Sequence, residues 1–219
     1  MQQEKGREDP ELFRREAMGA FAHEVRTPLT SIKMVMELAR RQSHEGELLL
    51  DAELAEMLRT SVDDLQALAD DLQETSRLER GKVSLSTGPC DLGAAVEAAR
   101  DMLRGIEIIG EVDAAIEGPW DAARLVRAIA GFSESANRIG NGYGAVRLVV
   151  NMDRDRVELE FTSGEPGKQD RPIAADAGFS FFRSRQLVLA MGGSVHCQRA
   201  ERFATFRVAL PLGLPGDMR

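Results

Sequence analysis

Along the first third of the chain, apolar residues recur in steps of three and four. Phe21, Val25, Pro28/Leu29, Ile32, Val35/Met36 and Ala39 form one series. Leu54, Leu58, Val62, Leu65, Leu68/Ala69 and Leu72 form a second. That period predicts two amphipathic helices. Asp9-Pro10 supplies a start signal for the first, an N-cap followed by proline at the first helical position. "RQSHEGE" interrupts the pattern as a turn, and the second helix starts at Asp51. Both stripes are narrow and heptad-like, and the opposite faces carry Glu, Asp and Arg. One antiparallel hairpin buries such seams poorly, whereas two copies paired into a four-helix bundle bury them well. The expectation is a homodimer through residues 10–80, preceded by a flexible segment at 1–9.

After residue 80 the period changes. "RLERGKVSLSTGPCDLGAAV" brings in Gly, Ser and Pro, and short β-like runs then alternate with helices. Helices are predicted at 91–104, 121–138 and 181–191, and strands at 83–86, 106–112, 145–152, 156–162, 194–199 and 203–210. "NMDRDR" and Ala200-Glu201-Arg202 read as hairpin turns. Helices over one face of such a sheet give an α/β sandwich spanning 81–213, followed by a frayed tail at 214–219.

Composition narrows the function classes. The chain has 219 residues, 43% of them apolar and 29% charged, with a formal net charge of −8. Nucleic acid is not an expected partner, because neutralising phosphates takes a basic face. No apolar run reaches the length of a membrane span, and "MQQEKGREDP" has no signal-peptide core, so a cytoplasmic location is expected. Cys90 and Cys197 lie far apart with no CxxC spacing and read as buried or half-buried thiols, not as a disulfide or zinc site. No bound metal is expected.

His23 stands out on the first helix. At about 100° per residue it lies roughly 200° from both Phe21 and Val25, and so faces solvent. Thr27, Thr30 and Met34 share its face, Leu38 lies near it, and Glu24 is its neighbour in sequence. A carboxylate that holds one ring N–H leaves the other nitrogen's lone pair free as a nucleophile. "HEVRT" is not a zinc helix, since Thr27 occupies the place of a second histidine. Pro28 removes one backbone hydrogen bond and is expected to bend the helix just after His23.

"FAHEVRTPLTSI", with the hairpin that ends in "SRLERGKV", resembles the phosphoacceptor box of bacterial sensor histidine kinases. The resemblance implies that His23 carries a phosphoryl group exchanged with a response-regulator aspartate. It also implies that Glu24 assists as a base and that Thr27 orients water when the regulator is dephosphorylated. Thr30, Met34 and Leu38 become candidate docking residues. The implied fold is a helical hairpin in a dimeric four-helix bundle, followed by a kinase-type ATPase-like α/β sandwich.

The second domain departs from that family's pattern at each nucleotide motif. In "RLVRAIAGFSESANRI" the two magnesium-binding asparagine positions hold Gly131 and Ser135, while the basic position is kept as Arg138. A slip of two residues that would recruit Asn137 rotates the helix by roughly 200° and turns Leu125, Ile129, Phe132 and Ala136 out of the core. In "LEFTSGEPGK", Ser163 replaces the adenine-binding aspartate, Glu165 replaces a glycine, and Gly167 is kept. In "GFSFFRSRQLVLAMGGS", Gly178 is kept but Ser180 replaces the second phosphate-turn glycine, amid Phe179, Phe181 and Phe182. Magnesium prefers carboxylate, amide and water oxygens in near-octahedral order, and the 131 and 135 positions offer few of them. Ser135, Arg138, Ser163, Gly167, Gly178 and Ser180 are therefore the remnants of a degenerate nucleotide site. No tightly bound cofactor is expected, neither ATP nor magnesium, and the receiver supplies the magnesium for transfer.

The resulting expectation is a histidine phosphotransferase or phosphatase of a two-component system, working without its own ATP. Its partners are a second copy, a receiver domain and an upstream histidine kinase. Two alternatives stay open: an active sensor kinase with an atypical ATP site, and a non-catalytic dimeric adaptor that binds a receiver.

Overall fold

The computed structural model describes residues 10–42, 50–112, 116–140, 144–164, 177–200 and 203–213. The chain divides into two compact units, Met1–Glu74 and Thr75–Arg219.

The first unit is built from α1 (Pro10–Gln42) and α2, which spans Ala52–Glu79 and runs past the unit boundary. Helix α1 starts at the predicted proline and continues unbroken through Pro28, which is buried. Pro28 has no N–H for the carbonyl of Glu24. In the next turn the Thr30 hydroxyl donates to the Arg26 carbonyl at 2.8 Å and the Ser31 hydroxyl to the Thr27 carbonyl at 3.4 Å. The Asp51 carboxylate accepts from the Leu54 amide at 2.8 Å and caps the start of α2. A core of Val35, Ala39 and Leu54 closes this end of the hairpin, with Met57 and Leu58 packed against it.

Wherever the sequence offered two adjacent apolar residues in α1, the structure separates them. Pro28 and Val35 are buried, while Leu29 and Met36 remain 45% and 43% exposed in the single chain. On α2, Val62 is 50% exposed. The apolar arc is thus wider than one hairpin seam, and a single chain leaves part of it exposed.

The second unit contains β1 (Gly88–Asp91), α3 (Leu92–Met102), β2 (Glu107–Ile109), β3 (Glu117–Trp120), α4 (Ala122–Ile139), β4 (Ala145–Met152), β5 (Arg156–Gly164), α5 (Phe179–Ala190), β6 (Ser194–Ala200) and β7 (Phe203–Pro211). The main sheet has the order β2-β4-β5-β7-β6, with β2 parallel to β4 and the other pairs antiparallel. Along β5 the side chains alternate, with Val157, Leu159, Phe161 and Ser163 on the buried face. Five phenylalanines tie the helices to that face. Phe132 of α4 stacks on Phe161 of β5 at 5.7 Å and lies 5.8 Å from Phe206 of β7. Phe181 of α5 is 5.3 Å from both Phe182 and Phe206. Such ring pairs add to the burial that drives the layer together.

Three sequence expectations change here, besides the strand expected at 106–112, which is shortened to Glu107–Ile109. The strand expected at 83–86 is absent, and the first strand is Gly88–Asp91. The backbone at 84–86 bonds instead to the start of α4: the Ser86 amide donates to Asp121 at 2.9 Å and the Arg124 guanidinium to the Ser84 carbonyl at 3.4 Å. Strand β3 has no counterpart among the predicted strands, and it contains Gly118 and Pro119, residue types depleted in strands. It pairs with β1 in a separate two-stranded sheet, where proline is tolerated away from a central ladder. Gly118 is required there, since a Cβ would overlap the Trp120 ring, whose Nε1 donates to the Pro211 carbonyl at 2.8 Å. Third, α5 begins at Phe179, two residues before its expected start.

Asp121 is 4% exposed and caps α4 by accepting from the Arg124 amide at 3.2 Å, while its carboxylate also pairs with the Arg124 guanidinium. Burial alone would raise its carboxyl. The Ser86 and Arg124 amides and the Arg124 charge outweigh that and hold it below the ordinary 3.8. A carboxyl depressed on folding stabilises fully above its unfolded value and loses that contribution as pH falls through the folded one. Asp121→Ala is therefore expected to cost the second unit about 1–2 kcal/mol at neutral pH. The sole tryptophan, Trp120, reports that unfolding by fluorescence. Below about pH 4 the gap between wild type and variant should narrow, and go on narrowing as the pH falls through the depressed folded value.

Candidate functional site

Helix α1 presents His23, Thr27, Thr30, Met34 and Leu38 on one exposed face, with spacings of four, three, four and four residues. Met34 is 48% and Leu38 37% exposed. The buried apolar positions of α1 and the half-buried Phe21, Val25 and Ile32, together with Leu29 and Met36, span an arc centred near Ile32. At about 100° per residue His23 lies opposite that centre. Glu24, one residue on, is turned partly toward the seam and is half-buried. The Thr27 side chain is exposed and its carbonyl accepts from Ser31, while the Thr30 hydroxyl is held by the Arg26 carbonyl. His23 thus sits on a rigid helical turn with its ring side open to solvent, which is the placement a nucleophile toward a protein-bound electrophile requires.

The second group of candidate residues lies in the second unit, where α4 meets the first turn of α5. Leu125, Ile129, Phe132 and Ala136 are all buried, which fixes the face of α4 and leaves Asn137 outside the core, accepting from the Gly144 amide at 2.9 Å. The slipped alignment of Asn137 is thereby excluded. Ser135 is fully buried. Its hydroxyl donates to the Gly131 carbonyl at 2.7 Å and lies 3.2 Å from the Ser180 hydroxyl of α5. A Cβ on Gly131 would overlap Ser184 Oγ and lie 3.1 Å from the Ser180 carbonyl. The two helices therefore approach more closely than any side chain at position 131 would allow.

Gly178 caps α5 with φ 79°, a left-handed conformation that suits glycine. Phe179, Ser180, Phe181 and Phe182, expected in a phosphate-binding turn, are instead the buried first residues of the helix. Ser163, at the adenine-aspartate position, donates to the Ala145 carbonyl at 3.2 Å and packs against Gly140, where a Cβ would overlap it. Arg138 is exposed near the end of α4. Gly167 and Glu165 lie outside the described residues.

The sequence reading missed the tightness of the α4–α5 contact. A signal for it was present: Gly131 and Ser135 in "GFSES" and Ser180 and Ser184 in "SFFRS" place two small residues one turn apart on each helix, the spacing that lets helices approach closely. Among the described residues no helix is long and apolar enough to cross a membrane.

Comparison with known proteins agrees with this layout. The HisKA family, described as the His Kinase A (phospho-acceptor) domain, matches residues 13–81. The signal transduction histidine-protein kinase BaeS of Escherichia coli is 25% identical over 169 residues, 74% of this chain and 35% of its own length. The histidine-protein kinase/phosphatase MprB of Mycolicibacterium paratuberculosis is 29% identical over 185 residues, 78% of this chain and 34% of its own. The chain thus spans about a third of these relatives. Among solved structures, the Acinetobacter baumannii histidine kinase AdeS superimposes with a TM-score of 0.65 at 18% identity, over 87% of this chain and 98% of that one. The histidine kinase ThkA, solved with its response regulator TrrA, superimposes with a TM-score of 0.57 at 14% identity, over 94% and 68%. Residues 13–81 thus belong to the HisKA phospho-acceptor family, and the hairpin followed by an α/β domain has the fold of these histidine kinase structures.

Proposed function

We propose that this protein is a dimeric histidine phosphotransferase, with His23 exchanging a phosphoryl group with a response-regulator aspartate and no ATP used by its own second unit. The observation that carries the reading is a contrast between its two sets of candidate residues. His23 and Thr27 lie on an open helical face, whereas Ser135, Ser163 and Ser180 are buried in side-chain packing and hydrogen bonds of their own.

The residues at the nucleotide positions do not fit a magnesium nucleotide. Gly131 has no ligating atom, and the Ser135 hydroxyl is already shared between the Gly131 carbonyl and Ser180. Phe181 and Phe182 fill the start of α5. Transfer to or from a receiver needs no nucleotide on this chain. The ring nitrogen's lone pair forms the P–N bond, and the aspartyl carboxylate leaves with the electrons of the broken P–O bond. The receiver carries the magnesium for that step. Glu24 orients the imidazole, and Thr27 serves the reverse, hydrolytic direction toward a regulator.

The homodimer belongs to the same reading. Met18, Leu29, Met36 and Val62 are 52%, 45%, 43% and 50% exposed in one chain, and a second hairpin would cover them as a four-helix bundle. A cytoplasmic site of action fits a receiver partner.

A second reading, an active sensor kinase, is favoured by the half-buried carboxylate beside His23 and by the relatives' names. Incubation with γ-labelled Mg-ATP separates the two. The first reading expects no label on the protein from ATP and labelling of His23 from a phosphorylated receiver. ATP-dependent labelling of His23 would overturn it.

A further inference from the structure

We infer that Gly19 is a clearance position for the partner that delivers phosphoryl to His23, a reading that rests on the proposed transfer function. Glycine is the poorest helix former after proline, so one inside the long helix α1 calls for a reason. Two usual reasons are missing. Gly19 is helical and is not among the left-handed glycines, and a Cβ added to it would meet nothing within 4 Å. Neither backbone conformation nor packing within the chain requires it.

Its place relative to His23 supplies the reason. Gly19 is one turn N-terminal, and at about 100° per residue it lies roughly 40° from His23 and 140° from the apolar arc centred near Ile32. A second copy packed on that arc leaves Gly19 uncovered. Helical side chains lean toward the N-terminus, over the residue four positions earlier, so the imidazole leans toward the bare turn. On the other side of His23 the helix carries Arg26 and Thr27. The Gly19 side of His23 is therefore the barer one, and a receiver docked along Thr30, Met34 and Leu38 has to carry its phosphoryl loops over His23 toward it.

What must fit there is an aspartyl phosphate with its cation and the loops that hold it, in line with the ring nitrogen. A free phosphoryl donor is much smaller. Gly19 thus admits a protein-borne phosphoryl group without being needed for the reactivity of the imidazole.

The test compares Gly19→Ala and Gly19→Gln in the full chain. Both replace glycine with a better helix former and should raise the melting temperature. Only glutamine reaches into the approach path. Two phosphoryl donors are used: phosphoramidate, and purified receiver domains of the source cell charged with acetyl phosphate. The expected result is wild-type labelling of both variants by phosphoramidate and near wild-type receiver transfer for Gly19→Ala. Gly19→Gln should transfer from the receiver about 10–100-fold more slowly, as expected for a misplaced reacting pair. Equal receiver rates for Gly19→Gln and wild type would overturn the inference, as would an equal loss with phosphoramidate. If wild type takes phosphoryl from phosphoramidate and from no receiver, the transfer reading itself falls, and this one with it.

Discussion

Replacing His23 with alanine is expected to reduce phosphoryl transfer from a charged receiver to background while leaving the fold unchanged. The second half follows from position. His23 is exposed on α1, opposite the apolar arc, and alanine is the better helix former there. A surface change of this kind moves stability by no more than about 0.5 kcal/mol. The first half follows from chemistry, because the neighbouring hydroxyls on that face are far weaker nucleophiles than an imidazole at neutral pH. His196 is exposed too, but on strand β6 of the other unit. The measurement is acid-labile, base-stable label on the protein after mixing with a receiver, with thermal unfolding recorded in parallel. Thr27→Ala should keep acceptance of label and lose acceleration of regulator dephosphorylation. Label that persists in His23→Ala would place the reacting group elsewhere and end the proposed mechanism.

The second large effect concerns the helix start that occupies the phosphate-turn position. Phe181 is 3% exposed and its ring lies within 6.3 Å of those of Phe132, Phe182 and Phe206. Truncating such a side chain removes its transfer energy and leaves a cavity, so Phe181→Ala is expected to cost about 3–5 kcal/mol. For a unit of this size that is a fall of roughly 10–20 °C in the melting point. Trp120 fluorescence or calorimetry measures it. The cavity should not restore nucleotide affinity, because Gly131 and Ser135 still offer magnesium little. A ligand that binds only the native state raises its melting point, so added Mg-ATP should shift neither wild type nor Phe181→Ala. A small cost for Phe181→Ala would mean that the ring is not seated in the core. A shift of the wild type by Mg-ATP would mean that the second unit retains a working site.

The local character of this pair of predictions reflects how differently the two units could be read. In α1 the evidence lies along one helix. The period of three and four, the histidine half a turn from the seam, and the proline at the first helical position are all properties of consecutive residues. Strand β4 was predicted at its observed bounds and β7 to within a residue, because alternation and the turns around them are local as well.

Where the sequence misled, a distant partner decided. Residues 83–86 have strand-like composition, but their backbone groups bond to Asp121 and Arg124, some 35 to 40 positions away. Gly118 and Pro119 are residue types depleted in strands, and only the fold places the Trp120 ring and the β1 strand beside them. "GFSFF" reads as a degraded turn. It becomes a helix because its phenylalanines find Phe132 and Phe206 on α4 and β7.

By itself, then, the sequence determined the two long N-terminal helices, strands such as β4 and β7, and which face of α1 bears His23, since these follow from periodicity within a few turns. Only the tertiary structure decided that Leu29 and Met36 stay uncovered where Pro28 and Val35 do not, and that Ser135 meets Ser180. Those outcomes depend on which side chains from separate elements fill the same space. Packing of that kind is set by three-dimensional neighbours and not by the order of residues along one helix.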